Sequence, residues 1–296
     1  MHQPKLNVGI IGTGNIGTDL LLKIMRAEHL QCTLFAGRNS NSLGMKKARS
    51  LGINTSDQSI HAFIESPDIC DLVFDATSAK YHLIHAKIFE SLSIKAIDLT
   101  PAKVGPFCVP SIDQDVIATS DNINMVTCGG QASIPILDVL SKHLTIEQAS
   151  VASFLSRDSV GQGTLDNIDQ YYSTTAQAIT HYTGIKDVTI DLRTESGQWK
   201  PDMLTSIKVK TGDQDIAKIF VPLAKRLQEI RTYVPGYHII GTPSYSNGYL
   251  EITISIRGQG DWLPTYAGNL DIINCAAIMA TKYFQKNRNN TLKVAV

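Results

Sequence analysis

The sequence predicts an α/β protein: an N-terminal doubly wound parallel sheet followed by a second, α+β domain. Three observations carry this. A short apolar run, Leu6-Asn7-Val8-Gly9-Ile10-Ile11, leads straight into Gly12-Thr13-Gly14-Asn15-Ile16-Gly17, and Leu20, Leu21, Ile24 and Met25 then recur at helical spacing; this is the strand–turn–helix start of a βαβ unit. Strand-like and helix-like runs go on alternating as far as Cys128. Beyond Pro135 the strands lengthen and alternate cleanly, with Leu250, Ile252, Ile254 and Ile256 on one face and Glu251, Thr253 and Ser255 on the other.

Bulk properties set the class. The 296 residues suit two interlocked domains. A hydrophobic content of 43% with 18% charged residues describes a globular chain with ample core. The 27 basic residues balance the 27 acidic ones, which gives no sign of a nucleic-acid partner. Five scattered cysteines, Cys32, Cys70, Cys108, Cys128 and Cys275, show no CxxC or Cys/His spacing, so neither a disulfide framework nor a structural metal is expected. A reducing cytoplasm fits. The first strand begins within a few residues of Met1, leaving no room for a signal peptide, and no apolar run approaches membrane-spanning length.

In the first domain, the glycine turn between strand and helix predicts a Rossmann-like dinucleotide site. Gly12 permits the tight turn, Gly14 lets the backbone approach a pyrophosphate, and Gly17 lets helix and strand pack closely. The helix N-terminus would then bind the phosphates. The second strand, Thr33-Leu34-Phe35-Ala36-Gly37, ends where the adenosine ribose would lie. An NAD site usually offers an acidic residue there; this chain offers Arg38-Asn39-Ser40-Asn41-Ser42, which would suit a 2′-phosphate, so NADP is expected to be accepted beside or in place of NAD. A helix from Met45 to Leu51 follows, then residues 60–64 and the strand Leu72-Val73-Phe74-Asp75-Ala76. Ser78 is placed to cap the next helix and face the cofactor; His82 and His85 on that helix read as a solvated face, with no carboxylate obviously paired to either. Ala96-Ile97-Asp98-Leu99-Thr100-Pro101 is another strand ending in a turn.

The chemistry is expected at Met125-Val126-Thr127-Cys128-Gly129-Gly130-Gln131-Ala132-Ser133-Ile134-Pro135, a strand ending in a tight turn at the start of a helix marked by Ile134, Ile136, Leu137 and Leu140. A thiol there would meet unpaired backbone N–H groups and the positive end of the helix dipole, both of which favour thiolate. Two glycines clear space for a substrate carbonyl and expose backbone donors for an oxyanion. As the last strand of the parallel run, this one should bring the thiol to the sheet edge that holds the nicotinamide.

Strands in the second domain are expected at 150–156, 188–192, 205–209 and 250–256, and helices at 166–182 and 215–231, on a largely antiparallel sheet. Ser159-Val160-Gly161-Gln162-Gly163-Thr164 opens the first of those helices and forms another anion- or amide-binding surface. Tyr266-Ala267-Gly268-Asn269-Leu270-Asp271-Ile272-Ile273 leads into a helix that should return to the first domain, with Gly268-Asn269 within reach of the nicotinamide. The expected division is 1–128, completed by a C-terminal helix over 268–288, then 129–267, with a loose tail over 289–296. The open sheet face of the second domain suggests a dimer.

The chain resembles the acylating acetaldehyde dehydrogenases, which convert short aldehydes and coenzyme A into acyl-CoA. The resemblance runs in order through Ile11 to Leu20, Phe74-Asp75-Ala76-Thr77-Ser78-Ala79, Asp98-Leu99-Thr100-Pro101-Ala102, Asn124 to Ala132, Asn167-Ile168-Asp169 and Tyr266 to Ile272. It implies a glyceraldehyde-phosphate-dehydrogenase-like architecture, with Cys128 as the acyl-carrying nucleophile and coenzyme A as co-substrate. It also implies cofactor contacts at Thr13 to Ile16, at Ser159, Val160, Gly161, Gln162, Gly163, Thr164, Leu165, Asp166 and Asn167, and at Asn269. Members commonly associate with an aldolase that hands over the aldehyde, so a homodimer or hetero-oligomer is implied.

Three positions depart from the family pattern. Its glycine-rich entrance ends in arginine where this chain has Leu165. Its thiol-activating aspartate aligns with Thr205 or Ser206, neither of them a base at neutral pH, and Asp202 stands nearby as a substitute. Its Gly-Ile-Asp segment is replaced by the segment at Arg38. Two rivals accordingly stand beside acyl transfer to CoA, in either direction: a semialdehyde dehydrogenase using phosphate as acceptor, and a cofactor-binding partner of an aldolase with decayed chemistry. The first needs basic residues about the cysteine, and none adjoins Cys128.

Overall fold

Six parallel strands organise the first part of the chain, in the spatial order β3-β2-β1-β4-β5-β6. The computed structural model describes residues 4–294 except 114, 162, 163, 166, 199, 213 and 214, and gives the backbone alone at 118 and 285–294. The strands are β1 (Leu6–Ile11), β2 (Leu30–Ala36), β3 (Thr55–Ser56), β4 (Leu72–Asp75), β5 (Lys95–Asp98) and β6 (Asn122–Asn124). Their order reverses between β1 and β4, which creates the crevice at the carboxyl ends where ligands of such sheets bind. Helices α1 (Asn15–Arg26), α2 (Leu43–Ser50), α3 (His61–Glu65), α4 (Ala79–Ser91) and α5 (Val116–Thr119) make the connections. The inner strands β1, β4 and β5 are buried nearly throughout, as parallel strands covered on both faces must be. On one side of the sheet Phe63 and Phe89 meet edge to face at 5.6 Å within a cluster including Ile11, Leu34, Val73 and Ala96.

The chain divides into two compact units, Met1–Met125 with Asn274–Val296, and Val126–Ile273. In the second unit five strands lie in the order β10-β11-β9-β7-β8: β7 (Gln148–Ser156), β8 (Asp187–Glu195), β9 (Met203–Lys210), β10 (Tyr237–Ser246) and β11 (Tyr249–Ile256). All the pairings are antiparallel except β7 with β8. Leu250, Ile252, Ile254 and Ile256 are buried together, as their alternation requires. Three helices belong here: α6 (Cys128–His143), α7 (Ile168–Thr183), closed by Gly184 at φ +75°, and α8 (Phe220–Arg231). Residues 216–219 form a 3-10 turn ahead of α8, so the helix expected from 215 starts later. The hairpin partner β10 was not apparent in the sequence, since Gly241 and Pro243 interrupt its apolar pattern.

The last helix, α9 (Gly268–Val294), starts in the second unit and ends in the first. Within the first unit its Asn274 Nδ2 donates to the Ile16 carbonyl and to Asp19 of α1, at 3.1 and 2.7 Å. The helix runs to Val294, through the stretch that composition gives as a tail from 289, because no glycine or proline stops it. Among the described residues no helix is long and apolar enough to cross a membrane.

Candidate active site

In the first unit the glycine turn has the geometry its sequence requires. Gly12 sits at φ +111°, and a Cβ there would meet the Ala76 carbonyl oxygen at 2.5 Å. A Cβ on Gly17 would come within 1.9 Å of the Gly12 oxygen, so the close approach is to the turn itself, with Ile10 of β1 just behind at 3.5 Å. Nothing lies within 4 Å of the Cβ position at Gly14, the N-cap of α1, which leaves that backbone open to a ligand. Thr13 bonds Ser42 through their hydroxyls at 3.1 Å, and Ser42 caps α2. Asn15 and Ile16 form the first turn of α1. Arg38 is exposed just past β2, its guanidinium 4.4 Å from the centre of the Tyr81 ring with Nη1 donating to the Tyr81 hydroxyl at 2.5 Å. Ser78 is the N-cap residue of α4, but its side chain makes no cap hydrogen bond, contrary to expectation.

The two histidines of α4 are not on a solvated face. His82 and His85 are 0% and 4% exposed, and both direct Nδ1 at Asp75 Oδ2, at 2.9 and 2.8 Å. Asp75 ends β4 and Asp98 ends β5, directly paired in register, so two buried carboxylates lie side by side. His82 bridges them, with Nε2 3.5 Å from Asp98. Asp98 also accepts from Thr100 N–H and Asn124 Nδ2, both at 2.7 Å, and Asp75 accepts from the Thr77 N–H at 3.0 Å. Burial pushes the Asp75 carboxyl up, but the bonds and charges of the two histidines outweigh it and bring it down to about 2. For Asp98 burial prevails and the carboxyl rises to about 6. Burial works against the His82 imidazolium, yet the Asp75 bond and the charges of Asp98 and Asp75 raise its pKa. The network fixes the Asp75–Thr77 turn, whose Ala76 carbonyl packs on Gly12.

In the second unit Cys128 is the first residue of α6, as its sequence context predicts. Val126 precedes it at φ +62°, a strained conformation for a β-branched residue. Thr127 is the N-cap: its hydroxyl accepts from Gly130 N–H at 2.9 Å and lies 2.7 Å from Thr175 Oγ1 of α7. Cys128 is half-buried, with its sulfur 3.9 Å from the Tyr171 hydroxyl. Two expectations are corrected here. Burial pushes the Cys128 thiol up to about 11, and the opposing bonds from Tyr171 and from the Gly129 and Cys128 backbone do not offset it, so the resting sulfur is a thiol. Nor do the glycines leave open space. A Cβ on Gly129 would lie 2.2 Å from the Tyr171 hydroxyl and 3.0 Å from Ser153 Oγ, and one on Gly130 would lie 2.5 Å from Val126 Cγ1.

Ser153 and Thr205 extend this group. They are register partners across β7 and β9, both buried, with hydroxyls 3.2 Å apart. Thr205 thus faces the same core as Tyr171, while Ser206 is half-buried on the opposite face and Asp202 lies before β9 begins. Tyr171, Ser153, His82 and His85 were missed as site residues. Hydroxyls at Ser153 and Thr205, on strand positions that otherwise carry core residues, were the available signal.

Of the residues expected past β7, Ser159 and Val160 are buried and Gly161 is open on its Cβ side. Thr164 and Leu165 donate their N–H groups to the Gly161 carbonyl at 3.1 and 3.4 Å, and Asn167 is the N-cap of α7. Gln162, Gly163 and Asp166 lie outside the described residues. Asn269 joins this segment, its Nδ2 donating to the Ser159 carbonyl at 3.0 Å, while its buried Oδ1 has no partner among the described residues.

Comparison with known proteins places the chain in a family. Residues 128–264 match the family profile described as prokaryotic acetaldehyde dehydrogenase, dimerisation, and residues 7–120 match that described as semialdehyde dehydrogenase, NAD binding domain. The chain is 47% identical over 287 residues to an acetaldehyde dehydrogenase of Pectobacterium atrosepticum, covering 96% of this chain and 97% of that one. It is 47% identical to one from Spirochaeta aurantia over 94% of each chain. Similar solved structures include aspartate semialdehyde dehydrogenase II of Vibrio cholerae with ASA (TM-score 0.63, 12% identity, 95% of this chain and 99% of that one). Another is the Candida albicans aspartate semialdehyde dehydrogenase with NADP (TM-score 0.64, 12% identity, 94% and 99%); at such identity these establish the fold alone. With a dinucleotide-binding first unit and relatives matched along nearly its whole length, the chain belongs to the acetaldehyde dehydrogenase family of oxidoreductases.

Proposed function

We propose that this protein is a CoA-acylating aldehyde dehydrogenase that converts a short-chain aldehyde, coenzyme A and NAD(P)+ into acyl-CoA and NAD(P)H, or runs in reverse as an acyl-CoA reductase. The observation that carries the reading is Cys128 at the first position of a capped helix, with a hydroxyl and backbone N–H groups turned on its sulfur. Its sulfur bonds to the aldehyde carbon while the thiol proton ends on the carbonyl oxygen, giving a thiohemiacetal. A bound nicotinamide would supply the hydride acceptor that oxidises this adduct, whose hydroxyl proton passes to solvent. The acyl group is then a Cys128 thioester; the CoA sulfur attacks its carbonyl, the Cys128 sulfur leaves, and the CoA thiol proton returns to it. Backbone N–H groups of the first turn of α6 are suited to the oxyanion of both additions.

The residues suit a dinucleotide. Gly14 leaves open backbone for its phosphates at the start of α1, within a turn whose close approaches require Gly12 and Gly17. Arg38, held against Tyr81 in place of an acidic residue, supports use of NADP. Phosphate as acyl acceptor is disfavoured, since the groups set against the Cys128 sulfur are neutral. A homodimer through the outer face of the second sheet, and an aldolase as supplier of the aldehyde, belong to the same proposal; light scattering and co-elution test them.

The decisive assay is NAD(P)H formation over an aldehyde series beginning with acetaldehyde, with CoA or phosphate as acceptor. CoA-dependent turnover that disappears in Cys128→Ser is expected. Full turnover by that variant, or a requirement for phosphate, would reject the reading.

A further inference from the structure

Three hydroxyls from three different elements converge behind the Cys128 sulfur. Tyr171 reaches it from α7, at 3.9 Å, and Ser153 of β7 hydrogen-bonds Tyr171. Thr205 of β9 stands 3.2 Å from Ser153. All three residues are at most 3% exposed. A core of this shape could hold Phe, Ala and Val at these positions with no polar group to satisfy, and burying hydroxyls is unfavourable unless each finds a partner. The row meets the sulfur through Tyr171, whose hydroxyl is also hydrogen-bonded to that of Thr127.

Two neighbouring features hold that end in place. Gly129 leaves the volume the Tyr171 hydroxyl occupies, since a Cβ there would overlap it at 2.2 Å. Thr175 donates to the Tyr171 carbonyl at 2.7 Å and is bonded at 2.7 Å to the Thr127 hydroxyl that caps α6. The N-cap of α6 and the first two turns of α7 are thereby tied together, with Cys128 and Tyr171 facing each other.

We propose that Tyr171 is a catalytic residue whose O–H donates to the Cys128 sulfur and stabilises its thiolate, with Ser153 and Thr205 as positioning residues that hold the hydroxyl in that orientation. This rests on Cys128 being the nucleophile. Hydrogen-bonded hydroxyls polarise one another, so Thr205 donating to Ser153, and Ser153 to Tyr171, strengthens the last bond of the row. Burial opposes ionisation of Cys128, and it keeps Tyr171 protonated by raising its pKa well above the usual value, so Tyr171 remains a donor when the sulfur ionises. Among the described residues Tyr171 is the titratable group set against the sulfur; the Gly129 and Cys128 backbone groups that also bond it are neutral.

The test is iodoacetamide labelling of the full chain across pH, with the Cys128 peptide quantified by mass spectrometry and the Cys32 peptide as internal control. In Tyr171→Phe the labelling profile of Cys128 should move up by about one pH unit. At a fixed pH below the midpoint the rate falls about threefold, because a tenfold loss of thiolate is partly offset by its higher nucleophilicity. Ser153→Ala and Thr205→Val should move it in the same direction by less, and Thr205→Ser should restore it, a rescue that a purely structural role for the hydroxyl would not produce in the profile. A Tyr171→Phe profile superimposed on the wild type, or a displacement shared by Cys32, overturns the proposal. The two readings fail differently: CoA-dependent turnover by Cys128→Ala removes the nucleophile and Tyr171's catalytic role with it, whereas an inactive Cys128→Ala with superimposed labelling profiles removes Tyr171 alone.

Discussion

Replacing Asp98 by asparagine should reverse its effect on stability between pH 4 and pH 7. Asp98 is fully buried, and its carboxyl titrates near 6 in the fold against 3.8 for an exposed one. At about 1.4 kcal/mol per pH unit, that displacement is worth about 3 kcal/mol. A raised carboxyl pKa means that the folded protein holds a proton the unfolded chain has released. The contribution is therefore fully present below 3.8 and is lost as pH climbs through about 6. His82, whose pKa is also raised, acts in the same sense above its unfolded value of 6.5, and Asp75, lowered to about 2, acts in the opposite sense below 3.8. The Asp98→Asn side chain would keep the shape but present a donor toward Asn124 Nδ2, which lies 2.7 Å from the carboxylate in the wild type, costing about 1 kcal/mol at every pH. The variant should be about 1 kcal/mol less stable than wild type at pH 4 and about 2 kcal/mol more stable at pH 7. Thermal unfolding should show the difference in Tm swinging by about 6–12 °C over that range. Parallel Tm-versus-pH curves for the two proteins would refute the idea that this carboxylate is ionised against its environment.

Three further outcomes are expected. Gly17→Ala places a methyl 1.9 Å from the Gly12 oxygen and must open the turn; titration calorimetry should show dinucleotide affinity falling at least about tenfold, and unchanged affinity would deny the turn its role. Gly129→Ala would drive the Tyr171 hydroxyl off the sulfur, since the new Cβ overlaps it at 2.2 Å, so kcat/KM should drop about ten- to a hundredfold with the fold intact by circular dichroism. Arg38→Glu should lower the ratio of kcat/KM for NADP over NAD by about tenfold or more, by replacing a guanidinium with a carboxylate that repels a 2′-phosphate and accepts from a ribose hydroxyl; an unchanged ratio would show that Arg38 does not read the cofactor.

What the sequence disclosed and what it hid follow from the distance over which each constraint acts. Gly12 and Gly17 were legible because their demands are local: one needs a positive φ, the other contacts an atom five residues back. The core strands were legible because period-two burial repeats within a single segment, as at Leu250 to Ile256. Residue 128 was legible because a cysteine before two glycines at a helix start is itself a local pattern. Its ionisation was not, because burial is set by α7 and β7, which lie far along the chain, and their desolvation outweighs the N-terminal donors that are nearby in sequence. The histidines failed for a related reason. Asp75 stands seven and ten residues before them, but only the strand-to-helix reversal after β4 turns its carboxylate back on α4, and only the β4–β5 register sets Asp98 beside it. Yet a trace was present. An aspartate closes each of two apolar strands, Leu72–Asp75 and Lys95–Asp98, and a buried carboxylate requires a donor or a cation. The same logic applies to Ser153 and Thr205, hydroxyls on the buried parity of their strands. Polar residues at positions that periodicity assigns to the core are thus the place to look for chemistry in this chain: they lead to the hydroxyls beside Cys128 and to the carboxylate–histidine network whose titration sets the pH dependence of stability.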